Sequence, residues 1–228
     1  IYRLVVQAAG GSYRIVPLRN FSHDLEAIAR AISPRTRIVF LANPNNPTGT
    51  IYYRQEWGEF LQRITPEILL IVDEAYFEYV ADAGYPDSLS YHSESRALLT
   101  LRTFSKLYGL AGLRIGYGIG GARMTDLMHR VRQPFNVNAA AQWAALAALE
   151  DHDHVRRSLR VNREGMDYLK GEIDKLGLEQ IPSQANFILV RVGDGQAVFT
   201  RLLKRGVIVR PMGAYDFPEH IRVTIGTL

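Results

Sequence analysis

The sequence contains no cysteine, and this excludes several kinds of chemistry. Without a thiol there is no disulfide, no cysteine-ligated zinc and no cysteine nucleophile. The chain also has no apolar run of 18 or more residues, so we expect no membrane-spanning helix. Its first residues lack the basic stretch and the long apolar stretch of a signal peptide. We therefore expect a cytoplasmic protein.

Long runs of one charge are absent as well. The 27 Lys and Arg residues outnumber the 23 Asp and Glu residues only slightly, giving a net charge of +4, and they are scattered along the chain. We expect no nucleic-acid partner, because basic residues cluster in proteins that bind nucleic acids. A modest positive field suits small anionic molecules. With 47% hydrophobic residues, the chain can bury a sizeable core.

Short apolar runs alternate with helical patterns in the first part of the chain. This alternation predicts an α/β fold, with a mostly parallel sheet and helices on both faces. The predicted strands are residues 14–18, 37–42, 68–72, 97–101 and 113–119. The predicted helices are residues 24–32, with Ser22 as the N-terminal cap, 55–64, 122–131 and 139–150.

A long polar-rich helical stretch, residues 152–176, connects this part to the rest of the chain. After it we predict a strand (186–192), a helix (196–205) and two more strands (207–210 and 221–225). We place a domain boundary near residue 155, which gives a large domain over 1–155 and a smaller C-terminal α/β domain over 156–228. The chain has no initiator Met and opens directly into patterned sequence, so we expect both domains to be incomplete parts of a longer protein.

The segment from Ser105 to Arg114 is the most informative in the chain. It places hydroxyls before Lys106 and an arginine eight positions after it. A lysine amine that is held neutral can attack a carbonyl, and hydroxyls beside an arginine suit a phosphate. Together they predict an enzyme that holds pyridoxal phosphate (PLP) as a Schiff base on Lys106. Taken alone, the segment could also be a basic turn whose charges face water.

Three successive predicted strands end in residues that carry chemistry. They run into the segments Asn43 to Gly49, Asp73 to Tyr76, and Thr103 to Lys106. Because ligands bind beyond the carboxyl ends of parallel strands, we expect the three segments to meet at one edge of the sheet. Each has an ordinary alternative: a turn cluster for the first, a helix cap or a half-buried aromatic for the second. Their coincidence at successive strand ends favours a PLP site.

Each residue type has a role in such a site. Asp73 would face the ring nitrogen and keep it protonated, so that the ring can take up electrons. Asn46 and Tyr76 would hydrogen-bond the phenolic oxygen of the ring. Lys106 would carry the proton between the substrate carbon and the cofactor.

The phosphate of PLP would lie among hydroxyls and a guanidinium. We expect Thr103, Ser105 and Arg114 to hold it, with Arg114 as a bidentate donor. No metal is expected, because His152 and His154 are two apart on a helix and point away from each other.

The segments Asn43 to Gly49, Asp73 to Tyr76 and Ser105 to Tyr117 resemble the signature segments of fold-type I PLP aminotransferases of classes I and II. Within this family, residues 206–212 and 221–227 and the segment Ser183 to Phe187 are similar to the histidinol-phosphate aminotransferase branch. The resemblance covers nearly the whole chain. It implies transamination of histidinol phosphate with a 2-oxo acid such as 2-oxoglutarate, in histidine biosynthesis.

The same resemblance implies further features of the site. Arg222 would anchor the substrate, with Arg210 as a second contact for its anion and Asn46 beside them. A cis proline would follow Asn46. The functional unit would be a homodimer in which a tyrosine from the partner chain completes the site. The family is longer at its N-terminus, where it carries a glycine-containing phosphate loop and an aromatic residue that stacks on the ring.

Other functions stay open from the sequence. Within the fold, the alternatives are an aromatic amino-acid aminotransferase, a PLP lyase or a decarboxylase. A different class of function would be a non-catalytic PLP-fold regulatory module. The segment Gly116 to Gly121 also matches the G-x-G-x-x-G pattern of dinucleotide-binding proteins, but no acidic residue follows near residue 140. Close backbone packing is the expected use of these glycines.

Overall fold

The computed structural model describes residues 1–93 and 95–227, and a four-stranded sheet organises the first part of this chain. Its strands are β1 (Ile38–Ala42), β2 (Leu69–Asp73), β3 (Leu98–Thr103) and β4 (Gly116–Gly120), in that order. β1, β2 and β3 are parallel, whereas β4 is antiparallel to β3. Two parallel neighbouring strands need a crossover connection, which is usually a helix. The β3–β4 connection contains only a short 3-10 helix, Ala111–Leu113, and this fits the antiparallel pairing. The predicted α/β fold with a mostly parallel sheet is confirmed.

Seven α-helices lie in the described residues. They are α1 (Tyr2–Ala8), α2 (Leu25–Ala31), α3 (Arg54–Gln62), α4 (Ala122–Val131), α5 (Ala139–Glu150), α6 (His152–Lys175) and α7 (Gly195–Leu203). The sequence predicted all of them except α1.

Helices cover both faces of the large sheet. Buried side chains of the strands alternate, so Leu41, Leu70 and Val72 pack on one face against residues of α2 and α3, including Trp57. Phe40 points to the opposite face, where the ring of Tyr2 in α1 stacks on it with ring centroids 4.9 Å apart.

Two local predictions near the start of the chain are wrong. Residues 14–18 form no strand, because they have no partner strand and Pro17 has no N–H to offer a ladder. Asp24, not Ser22, caps α2: its side chain accepts the N–H of Ala27 at 2.9 Å. The Ser22 hydroxyl donates instead to the carbonyl of Ile51.

A second sheet follows, with strands β5 (Gln180–Ile181), β6 (Phe187–Arg191), β7 (Arg210–Pro211) and β8 (His220–Thr224). All its pairs are antiparallel, in the order β5-β6-β8-β7. The strand predicted over 207–210 is wrong in extent, because only Arg210 of that range pairs with β8. Leu228 of the predicted small domain lies outside the described residues, and the two-domain division stays a prediction.

α6 contacts both parts of the chain. Near its start, Nε2 of His154 lies 2.9 Å from the carbonyl oxygen of Leu107, the residue after Lys106. Further along, Met166 and Ile173 pack into the core of the second sheet. The boundary predicted near residue 155 therefore falls inside one continuous helix.

Two expectations about the backbone are met. The Asn46–Pro47 peptide bond is cis, as expected, and Asn43–Pro44 is cis as well. In β4, a side chain at Gly116 would lie 2.8 Å from the carbonyl oxygen of Arg102, so this glycine allows close backbone packing. Among the described residues, no helix is both long enough and apolar enough to cross a membrane.

Candidate active site

The carboxyl ends of β1, β2 and β3 lie side by side. Ala42 is the register partner of Asp73, and Asp73 is the partner of Leu101. The three segments that follow these strands therefore leave the sheet at the same edge. The predicted convergence is confirmed by the strand register.

Asp73, at the end of β2, receives two hydrogen bonds. Its Oδ2 accepts the hydroxyl of Tyr2 at 2.6 Å, and its Oδ1 accepts the N–H of Ala75 at 3.1 Å. Burial, followed by the charge of Asp73, raises the pKa of Tyr2 well above its usual value, so the phenol keeps its proton and donates it. Sequence reasoning missed Tyr2, which lies on the unpredicted α1 and 71 positions from its partner.

Lys106 lies beside Tyr76. Its Nζ is 5.1 Å from the centroid of the Tyr76 ring, within the range of a cation–π contact. Tyr76 is buried and meets Phe187 of β6 edge-on, with ring centroids 5.1 Å apart. The phenol predicted to lie near the lysine is therefore held there by a residue of the second sheet.

The predicted phosphate-binding residues are only partly brought together. The hydroxyl of Thr103 accepts the N–H of Ser105 at 3.0 Å, which fixes the turn before Lys106. Arg114 is exposed, adopts a left-handed backbone conformation (φ 55°) and donates to the carbonyl of Ala111 at 2.7 Å. Its guanidinium makes no hydrogen bond to either hydroxyl in the described residues, so an anion would have to draw it away from its own turn.

Arg222 joins the second sheet to the loop after β1. Its Nη1 donates to Oδ1 of Asn46 at 2.5 Å, and its guanidinium carbon lies 4.8 Å from the centroid of the Phe187 ring. Its Nε is buried without a hydrogen-bond partner among the described residues. Arg210 is the register partner of Arg222, so both side chains lie on the same face of the sheet. Two adjacent guanidiniums with a spare donor favour an anionic ligand.

A buried ion pair lies directly beside Asp73, and sequence reasoning assigned it no role. Glu74 is fully buried and accepts two hydrogen bonds from Arg102, from Nε at 2.9 Å and from Nη2 at 2.8 Å. The hydroxyl of Tyr85 and the N–H of Ser88 donate to its other oxygen. The sequence does show an acidic residue at the end of a buried strand. Its partner Arg102 is 28 positions away, so the local pattern could not identify the pair. The pair fixes the turn that carries Asp73.

A family model described as aminotransferase class I and II matches residues 1–228. The chain belongs to this family. This result confirms the resemblance in the motifs.

Relatives within the aminotransferase family include curated histidinol-phosphate aminotransferases. The chain is 51% identical over 227 residues to histidinol-phosphate aminotransferase 1 of Nitrosococcus oceani, covering 99% of the chain and 61% of that protein. It is 50% identical over 228 residues to the enzyme of Moorella thermoacetica, covering 99% of the chain and 59% of that protein. The chain therefore spans less than two thirds of the length of these relatives.

Solved structures support membership of the aminotransferase family. The histidinol-phosphate aminotransferase of Sinorhizobium meliloti, solved in complex with pyridoxal-5'-phosphate, matches with a TM-score of 0.91 and 29% identity. The match covers 98% of this chain and 62% of that one.

The site of this aminotransferase-family chain fits pyridoxal phosphate. The carboxylate of Asp73 has lone pairs left after its two hydrogen bonds and can accept an N–H from a ring nitrogen. Lys106 supplies an amine at the same edge of the sheet, and the hydroxyls of Thr103 and Ser105 precede it. The roles of the individual residues stay predictions.

Proposed function

We propose that this chain carries out PLP-dependent transamination of histidinol phosphate in histidine biosynthesis, with a 2-oxo acid such as 2-oxoglutarate as the amino acceptor. One observation carries the proposal. The edge of the sheet that gathers Lys106, Asp73 and Asn46 belongs to a chain that shares about half its residues with curated histidinol-phosphate aminotransferases.

Residues at the sheet edge would hold the cofactor. Bound pyridoxal phosphate supplies an electrophilic carbonyl carbon and a ring that takes up an electron pair. Asp73 would accept a hydrogen bond from the protonated ring nitrogen, and Asn46 and Tyr76 would donate to the phenolic oxygen. The phosphate would be held by hydroxyls and a guanidinium; these residues are Thr103, Ser105 and Arg114.

Lys106 would do two jobs in the reaction. Its Nζ would be the nucleophile that holds the cofactor covalently. The same Nζ would also carry a proton from the reacting carbon of the amino donor to the cofactor. The ring of Tyr76 beside Nζ limits the positions that the amine can occupy.

Arg222 and Arg210 would bind the anionic end of the substrate. The unpartnered Nε of Arg222 supports this role, because a carboxylate or phosphate oxygen would satisfy it. The Arg222–Asn46 hydrogen bond links this anion site to the loop after β1. The resemblance to the family further supports a homodimer, located in the cytoplasm, with a partner tyrosine at the site.

Borohydride reduction followed by peptide mapping tests the cofactor assignment on the complete gene product. We expect the phosphopyridoxyl group on Lys106 and a fall in turnover of roughly 10²–10⁴-fold in Lys106→Ala. Lys204→Ala, at an exposed position, is the matched control and should retain full turnover. A trapped lysine adduct in Lys106→Ala would overturn the assignment.

A substrate panel tests the choice of amino donor. We expect kcat/KM for histidinol phosphate to exceed that for histidinol, which carries no phosphate, by about 10²-fold or more, because a site built for an anion leaves its donors unpaired without one. Equal or better turnover of aromatic amino acids would favour the aromatic aminotransferase instead.

A further inference from the structure

The hydrogen bond between Tyr2 and Asp73 connects two distant parts of the chain. It measures 2.6 Å and joins α1 to the end of β2. The Tyr2 ring is fixed independently, because it stacks on Phe40 of β1 with an angle of only 12° between the ring planes. Packing of the ring therefore holds the phenol oxygen in place independently of its hydrogen bond to the carboxylate.

The carboxylate of Asp73 needs such a contact to keep one orientation. Rotation of a carboxylate about its last torsion is soft, so a single hydrogen bond leaves it free to turn. Ala75 holds Oδ1 from within the same turn, and Tyr2 holds Oδ2 from a different element. In the described residues these are the only hydrogen bonds to the Asp73 side chain. Two donors on two oxygens fix the plane of the group.

We propose that Tyr2 is a positioning residue, which holds the Asp73 carboxylate in the plane where it receives the protonated ring nitrogen of the cofactor. This inference rests on the proposed function, because it assigns Tyr2 a role only if a ring nitrogen binds Asp73. Tyr2 would act through Asp73 and not by contact with substrate or cofactor. Its ring is occupied by Phe40 and its hydroxyl by Asp73.

The test uses Tyr2→Phe in the complete gene product, since this change removes the hydroxyl and keeps the ring that stacks on Phe40. Dissociation constants are measured for pyridoxal phosphate and for its 1-deaza analogue, in which a C–H replaces the ring nitrogen. We expect Tyr2→Phe to weaken pyridoxal phosphate by about tenfold, the size of one charge-assisted hydrogen bond. Binding of the 1-deaza analogue should change by less than about twofold, because it has no N–H for Asp73.

Two further variants make the test specific. Tyr13→Phe removes a phenol from an exposed tyrosine and should change neither dissociation constant. In an Asp73→Asn background, Tyr2→Phe should add little further loss, because Tyr2 acts through the Asp73 carboxylate.

The outcomes separate the possible failures. Equal weakening of both cofactors by Tyr2→Phe would mean a purely structural role and would overturn the inference, as would no weakening of either. If the unsubstituted protein does not bind pyridoxal phosphate, both the proposed function and this inference are refuted. A normal borohydride adduct on Lys106 with an unaffected Tyr2→Phe would refute this inference alone.

Discussion

Arg102→Met should destabilise the protein strongly, because it leaves the carboxylate of Glu74 without a counter-ion in the interior. Glu74 has no exposed side-chain surface and Arg102 has only 10%. Breaking a buried ion pair from one side costs about 3–5 kcal/mol. Tyr85 and Ser88 still donate to Glu74 in the variant, so we expect the lower end, about 3 kcal/mol. Urea unfolding followed by circular dichroism measures this loss.

Two comparisons make the result decisive. The double variant Glu74→Gln/Arg102→Met removes both charges and should recover at least about 1 kcal/mol relative to the sum of the single changes. Arg130→Met breaks an ion pair with Asp126 in which both side chains are largely exposed, and it should cost less than about 1 kcal/mol. If Arg102→Met costs no more than Arg130→Met, the buried pair does not fix the turn in the way that its geometry implies.

Two other changes test the packing of the fold. Burial lowers the pKa of His23 from 6.5 to about 4, so below pH 6.5 the unfolded chain binds a proton that the folded chain does not bind. Relative to His23→Gln, the free energy of unfolding should therefore fall by about 3 kcal/mol between pH 6.5 and pH 4. A difference between the two proteins that does not vary with pH would contradict this prediction. At Gly49 the backbone has φ 74°, and a new Cβ would lie 2.0 Å from Oγ of Ser183. In urea titrations, Gly49→Ala should therefore lower the free energy of unfolding by about 2 kcal/mol or more. The control Gly58→Ala, in open space on α3, should raise it by about 0.5–1 kcal/mol.

The sequence predicted the part of the site that follows from local order. Each strand that ends in a chemical motif is an apolar run bounded by turn residues, so Asp73 and Lys106 could be assigned to one edge without coordinates. The parallel pairing of β1, β2 and β3 then brought the motifs together as expected. The cis bond before Pro47 came from the family resemblance and not from the residues themselves.

The contacts that the sequence did not predict are long-range. α1 has seven residues, no side-chain cap and no fully buried residue, so its pattern carries no helical signal, and Tyr2 went unnoticed with it. The pairing of Glu74 with Arg102 depends on β3 lying next to β2. The strand predicted over residues 14–18 shows the converse, because a local apolar pattern there finds no partner strand.

The single helix α6 fixes the spacing between two parts of the chain. Its 24 residues span about 36 Å and link the loop that carries Lys106 to the sheet that carries Arg222. One added residue in its middle would turn everything after it by about 100° and advance it by about 1.5 Å. Met166 and Ile173 would then leave the core of the second sheet. We therefore expect changes in chain length to be tolerated in the surface loops and not within this helix, because an insertion there would move Arg222 relative to Lys106.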